Sequence, residues 1–157
     1  MNCSIWKIIC VCLLLLTLFV VSACGAKEDV ELATYQLPFG AEEVEAVTVS
    51  NIWLEYKVIE DREGIEKLVS LMNGIECYPA SSYNEEVDGP HPGSYGQEYL
   101  FQMQDGSQYL FSAVPLTEGN TLFTDDAGHA HKVRNFVPEE IWEQLDYEIR
   151  TKDPAGE

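Results

Sequence analysis

Beyond position 24 the sequence holds one cysteine, Cys77, so this stretch can close no internal disulfide and must be stabilised by its own apolar core. Basic residues are scarce: nine Lys and Arg stand against 27 Asp and Glu in the 157 residues. Every acidic residue lies after position 23 and only Lys7 lies before it, which leaves eight basic against 27 acidic residues, a net charge of −19, from Cys24 onward. Nucleic acid is thereby excluded as a natural partner, because such a chain is repelled by phosphates and has no basic stripe to neutralise them. Catalytic signatures are missing as well. There is no G-x-S-x-G, S-x-x-K or H-E-x-x-H, and no glycine-rich loop followed by Gly-Lys-Ser/Thr, which removes the common hydrolase, zincin and nucleotide-binding motifs. A spanning helix is also lacking. The longest uncharged apolar run covers residues 8–21, whereas about 20 apolar residues are needed to cross a bilayer core of ~30 Å.

What is present at the start fits a secretion signal. Lys7 gives a positive first region, the fourteen residues 8–21 give an apolar core interrupted only by Thr17, and small residues follow; a signal core runs to about 7–15 residues before such a cleavage site. The run ends Val21-Ser22-Ala23-Cys24-Gly25, which resembles the lipobox of bacterial lipoproteins with type II signal peptides. The resemblance implies a signal-peptide helix over residues 1–23, cleavage before Cys24 and a diacylglyceryl group on the Cys24 thiol, with palmitate among its chains. Cys24 then becomes the lipidated first residue of a protein held on the extracytoplasmic face of the cell membrane. Two acyl chains anchor essentially for good, each buried methylene contributing about 0.8 kcal/mol. An acidic domain is repelled by anionic lipid headgroups, so membrane contact is expected through the Cys24 lipid alone. An exported domain without disulfides fits a Gram-positive cell envelope.

The rest divides into a flexible tether over residues 24–41, one domain over 42–150 and a disordered tail over 151–157. The tether expectation rests on Lys27, Glu28, Asp29 and Glu31 with Pro38 and Gly40 and no sustained period. Val44, Ala46 or Val47, and Val49 open one strand, and Trp53, Leu54, Tyr56, Val58 and Ile59 make a second, separated only by residues 50–52. Asp61 is a suitable helix N-cap, with Ile65, Leu68, Val69 and Met72 at helical spacing behind it and Gly74 placed for a left-handed terminus. Asp105-Gly106, between Tyr99-Leu100-Phe101 and Tyr109-Leu110-Phe111, reads as a type I′ hairpin that sets Phe101 opposite Leu110. A further hairpin turns at residues 125–128, and a last helix starts at Pro138 with Ile141, Trp142, Leu145 and Ile149 as its buried stripe. The expected fold class is α+β, a mainly antiparallel sheet with two helices in the order β-β-α-β-β-β-β-α.

Candidate sites are few. Residues 79–96 carry three prolines and three glycines without periodicity; loops of that length are usually functional or disordered, and Tyr83, His91 and Tyr95 form its possible binding surface. His129 and His131, two apart on a strand, share a face, and Asp125 could join them as a third zinc ligand. Chance produces such spacing often, so a surface histidine pair at a turn is the competing reading, and neither a metal nor another cofactor is expected. Cys77 has Glu76 as its nearest charge, which disfavours a thiolate, so it reads as a buried structural side chain. No catalytic residue is assigned. The chain as a whole resembles small uncharacterised lipoproteins of Firmicutes, through the signal, the lipobox and the segments Leu122-Phe123-Thr124-Asp125 and Phe136-Val137-Pro138-Glu139-Glu140; that resemblance carries no activity to transfer. The expected role is a binding or interaction module for an unknown protein or envelope component. The rival readings are an enzyme, metal-dependent or other, with a site near His129 and His131, and a structural envelope protein.

Overall fold

The computed structural model describes residues 30–80, 96–116 and 119–152. Among them the chain forms one antiparallel sheet of nine strands and two α-helices, an α+β fold. The strands are β1 (Ala33–Thr34), β2 (Val44–Asn51), β3 (Glu55–Ile59), β4 (Glu76–Cys77), β5 (Gln97–Met103), β6 (Gln108–Pro115), β7 (Thr121–Thr124), β8 (Ala130–Val133) and β9 (Arg150–Thr151); the helices are α1 (Arg62–Asn73) and α2 (Pro138–Gln144). Their order across the sheet is β1-β4-β8-β7-β6-β5-β2-β3-β9. The long strands occupy the middle, and both outermost strands are two residues long.

Strand alternation decides which face is buried. Val47, Val49, Ile59, Tyr99, Phe101, Phe111, Phe123 and Val133 all lie inward and are fully covered, while Glu98, Gln102, Gln108 and Leu110 on the opposite face remain exposed. The inner face packs under α1, whose Ile65, Leu68, Val69 and Met72 are buried at the helical spacing read from the sequence, and under Ile141 and Leu145 of the α2 region. Aromatic rings fill the centre: Phe123 lies 5.1 Å from Tyr35, 5.9 Å from Phe111 and 5.8 Å from Phe136 between centroids.

The hairpin register differs from the expected one. Phe101 pairs with Tyr109 and Leu100 with Leu110, because the loop has three residues rather than two. The Gly106 N–H donates to Met103 O at 2.9 Å and Gly106 adopts φ +86°, the geometry of a type I turn closed by a left-handed bulge residue. Asp105 serves the turn through its side chain, accepting from the Ser107 N–H at 2.9 Å.

Residues 31–41 are not a free tether. Leu37 and Phe39 are buried in the core, Phe39 stacks 4.8 Å from Tyr109, and β1 pairs with β4. The charges of this stretch lie beside a two-residue alternation of Tyr35, Leu37 and Phe39, which supplies apolar surface enough to dock it. Similarly, Arg150 and Thr151 pair with β3, and the Lys152 N–H donates to Leu54 O at 2.8 Å, so the segment expected as a tail begins in the sheet. Residues 153–157 and the expected signal over 1–23 lie outside the described residues.

Helix ends are closed by specific groups. Asp61 caps α1 by accepting from the Gly64 N–H at 2.9 Å. Gly74 has φ −96°, so it does not provide the left-handed terminus expected of it; its carbonyl instead accepts from Asn135 Nδ2 at 2.9 Å and that of Asn73 accepts from Gln36 Nε2 at 3.1 Å. α2 ends at Gln144, leaving Ile149 exposed rather than in the buried stripe. Its final carbonyls are taken by Lys57, a buried lysine of β3 whose Nζ donates to Trp142 O at 2.8 Å and Leu145 O at 2.6 Å.

Gly64 has a structural reason to be glycine. The Tyr147 hydroxyl donates to Asp61 Oδ2 directly over the first turn of α1, and a Cβ on Gly64 would stand 1.9 Å from the Tyr147 hydroxyl oxygen and 2.7 Å from Ile59 Cγ2. Helix propensity alone favours Gly64→Ala by about 1 kcal/mol. The overlap is expected to override it and to destabilise the domain by about 1–3 kcal/mol. Urea unfolding should show the loss, and in a Tyr147→Ala background the same substitution should cost markedly less.

Candidate functional site

The turn between β7 and β8 brings together the three residues whose spacing suggested a metal site. Asp125 Oδ2 lies 3.3 Å from His129 Nδ1 and 3.2 Å from His131 Nε2. Its other oxygen, Oδ1, accepts from the His129 N–H at 2.8 Å, closing the turn that the Gly128 N–H to Asp125 O bond begins. Burial pushes the Asp125 carboxyl up, and the bonds from the His129 N–H and the two imidazoles outweigh it, so it is held below the usual carboxylate range. Both rings approach one oxygen. That oxygen is occupied by ring nitrogens rather than opened toward a common ion, and among the described residues no group of three or more His, Cys, Asp or Glu is arranged to hold a metal. The cluster is a carboxylate that locks a turn and positions two imidazoles. Tyr35 packs 5.7 Å from the His131 ring; burial first, and then the Asp125 charge, push its hydroxyl up to about 12.

Cys77 is buried, and burial alone pushes its thiol above the ordinary cysteine value. This is the chemistry of a packed side chain, not of a nucleophile. Tyr83, His91, Tyr95 and Cys24 lie outside the described residues.

A different site emerges at the β2–β3 connection. Trp53 and Leu54 had the composition of a strand, but with Ile52 they form the tip of a hairpin in which Ile52, Trp53 and Leu54 are 55%, 62% and 47% exposed. Asn51 builds the tip: its Oδ1 accepts from the Trp53 N–H at 2.9 Å and the Glu55 N–H at 3.1 Å, and its Nδ2 donates to Glu55 Oε2 at 2.9 Å. Leu54 adopts φ +62°, the one left-handed non-glycine residue among those described. A bulky side chain there is a conformational outlier, and such strain concentrates at functional sites. Beside the tip a cleft of about 420 Å³ runs over the outer face of the sheet, lined by Ser50, Ile52, Leu54, Gly96, Val114 and Lys152. A second hollow of about 480 Å³, between Glu45, Glu60, Arg62 and Gln104, is walled by exposed charged and amide groups and offers no comparable apolar surface. The tip cleft can therefore take an apolar group, with Lys152, Glu98 and Ser112 among its polar lining. Its sequence signal was Asn51, a residue that folds its own side chain back onto the following backbone.

No family model matches the chain, and no curated protein or solved structure matches it.

Proposed function

We propose that the chain is a bacterial surface lipoprotein, anchored in the cell membrane through an acylated Cys24 and displaying its α+β domain as a binding module on the extracytoplasmic side. The observation that carries this reading is the fourteen-residue apolar run ending in Val21-Ser22-Ala23-Cys24, too short to span a bilayer and placed as a signal core is. The domain supports the second half. It presents an apolar cleft and an exposed apolar tip to its surroundings, and exposed apolar surface of this kind marks interaction sites.

The test is acylation at one sulfur. Cells given radiolabelled palmitate should label the wild-type protein and release none of it on high-salt washing, whereas Cys24→Ser should carry no label and retain its signal segment. Label persisting on Cys24→Ser, or a mass spectrum with an unmodified thiol at Cys24, would sink the anchor.

A further inference from the structure

We infer that the cleft beside the 51–54 tip binds a short aliphatic peptide with free ends, two or three residues long. This deepens the binding-module reading proposed above and rests on it; the Cys24 anchor plays no part in it.

A buried amide with nothing to hold is the first observation. Gln97 lines the cleft and is 4% exposed. The Tyr99 hydroxyl donates to its Oε1 at 2.8 Å, while among the described residues its Nε2 has no acceptor. A sealed donor without a partner is costly, and among the described residues no enclosed side-chain nitrogen or oxygen lacks one. Nε2 is therefore not sealed in the core. It opens on the cleft that Gln97 lines, where a ligand carbonyl would satisfy it.

Charge supplies the second observation. Glu98 and Lys152 both line the cleft, and among the described residues neither side chain takes part in an ion pair or hydrogen bond. Opposite charges held apart in one cleft suit a ligand that carries both signs. A ligand with a carboxylate alone would meet the surplus of acidic residues on this chain, and a purely apolar one would leave Glu98, Lys152 and Gln97 Nε2 unanswered.

Strand order sets the length. Glu98 lies on β5 and pairs with Ser50 of β2, whereas Lys152 follows β9 and its N–H donates to Leu54 O. Three strand spacings separate β5 from β9, roughly 14 Å at about 4.8 Å each. The two side chains reach in from either side and leave about 7–10 Å, the span of two or three extended residues at about 3.3–3.6 Å each. The ammonium of such a peptide faces Glu98, a carbonyl meets Gln97 Nε2 next to it, and the terminal carboxylate meets Lys152. Ile52, Leu54 and Val114 supply apolar surface for the aliphatic side chains. Gly96 keeps the space beside Val114 open, since a Cβ there would come within 3.3 Å of Val114 Cγ2. The volume of about 420 Å³ falls within the range of about 300–1,000 Å³ for small-ligand sites.

The test is equilibrium dialysis of radiolabelled dileucine and trileucine against the acylated protein in phosphatidylcholine vesicles, with empty vesicles as the blank. Saturable binding of one peptide per chain is expected. N-acetylation, which removes the peptide's ammonium, should weaken binding about fivefold and should cost nothing further in Glu98→Gln. C-terminal amidation should behave in the same way toward Lys152→Ala. Both of these residues are exposed, so their variants keep the core intact. Gln97→Leu should weaken binding about tenfold, with circular dichroism of the same sample to establish that it is folded. No saturable binding of either peptide, binding indifferent to both end modifications, end-group and side-chain penalties that simply add, or free leucine binding as tightly as the peptides would each overturn the inference. Photo-crosslinking in intact cells from p-benzoylphenylalanine in place of Val114 separates the two claims. An envelope protein captured there while both peptides fail to bind removes the peptide and leaves the binding module; no adduct and no peptide binding removes both.

Discussion

Phe123→Ala should destabilise the domain by about 3–5 kcal/mol, the range for removing a buried phenyl ring. Phe123 is fully buried on β7 and touches four rings: Tyr35 at 5.1 Å, Phe136 at 5.8 Å, Phe111 at 5.9 Å and His131 at 6.5 Å. Each pair in such edge-on or offset geometry contributes about 0.5–1.5 kcal/mol beyond area burial. The rings come from four separate segments, which hold one another in place, so the cavity cannot close by moving a single side chain. Domains of this size have about 5–15 kcal/mol in total, and the midpoint of thermal unfolding is expected to fall by on the order of 20 °C. Circular dichroism of the variant checks it. A shift within a few degrees of wild type would mean that the aromatic centre does not hold the sheet.

Lys57→Met should cost about 2–4 kcal/mol, and its effect should be local before it is global. The Lys57 ammonium donates to the carbonyls of Trp142 and Leu145 and stands 4.6 Å from the Trp142 ring centroid. Hydrogen bonds to a charged group are worth about 1.5–3 kcal/mol each; Leu145 O keeps the Tyr147 N–H at 2.9 Å, so the unpaired acceptor is the half-buried Trp142 carbonyl. Methionine fills the volume of the stem but supplies no donor. Burial lowers the Lys57 pKa from the usual lysine value, with Asp146 drawing it back up; the protonated form is the one that closes the helix end. Amide hydrogen exchange should therefore quicken over residues 138–147 in Lys57→Met more than over the strands. Uniform protection across the two proteins would show that α2 is held by Ile141 and Leu145 alone.

Much of this fold is legible in the residue order, because period and caps agree there. α1 declares itself by Asp61 and by Ile65, Leu68, Val69 and Met72, and the structure seats each of them as the spacing requires. The hairpin strands are equally plain, yet their pairing is not, since Asp105-Gly106 serves a two-residue turn and a three-residue bulged turn alike. One residue of difference changes every partner. Trp53 and Leu54 have strand composition and become part of a turn because Asn51 captures two of the following amides. Charges at Lys27, Glu28 and Asp29 conceal the alternation of Tyr35, Leu37 and Phe39 just behind them. A buried lysine leaves no local signature at all: Lys57 is distinguished only by carbonyls 85 and 88 residues away. The convergence of His129 and His131 on Asp125 was readable from strand and turn spacing. What spacing could not reveal is that both rings bond one carboxylate oxygen.

The two-residue strands at either margin of the sheet bear on how copies of this protein coexist. A long flat margin would invite copies to zip together strand by strand. Ala33–Thr34 and Arg150–Thr151 offer too few amides and carbonyls for such growth. Edge-to-edge growth between copies is thereby limited to a rung or two of backbone pairing.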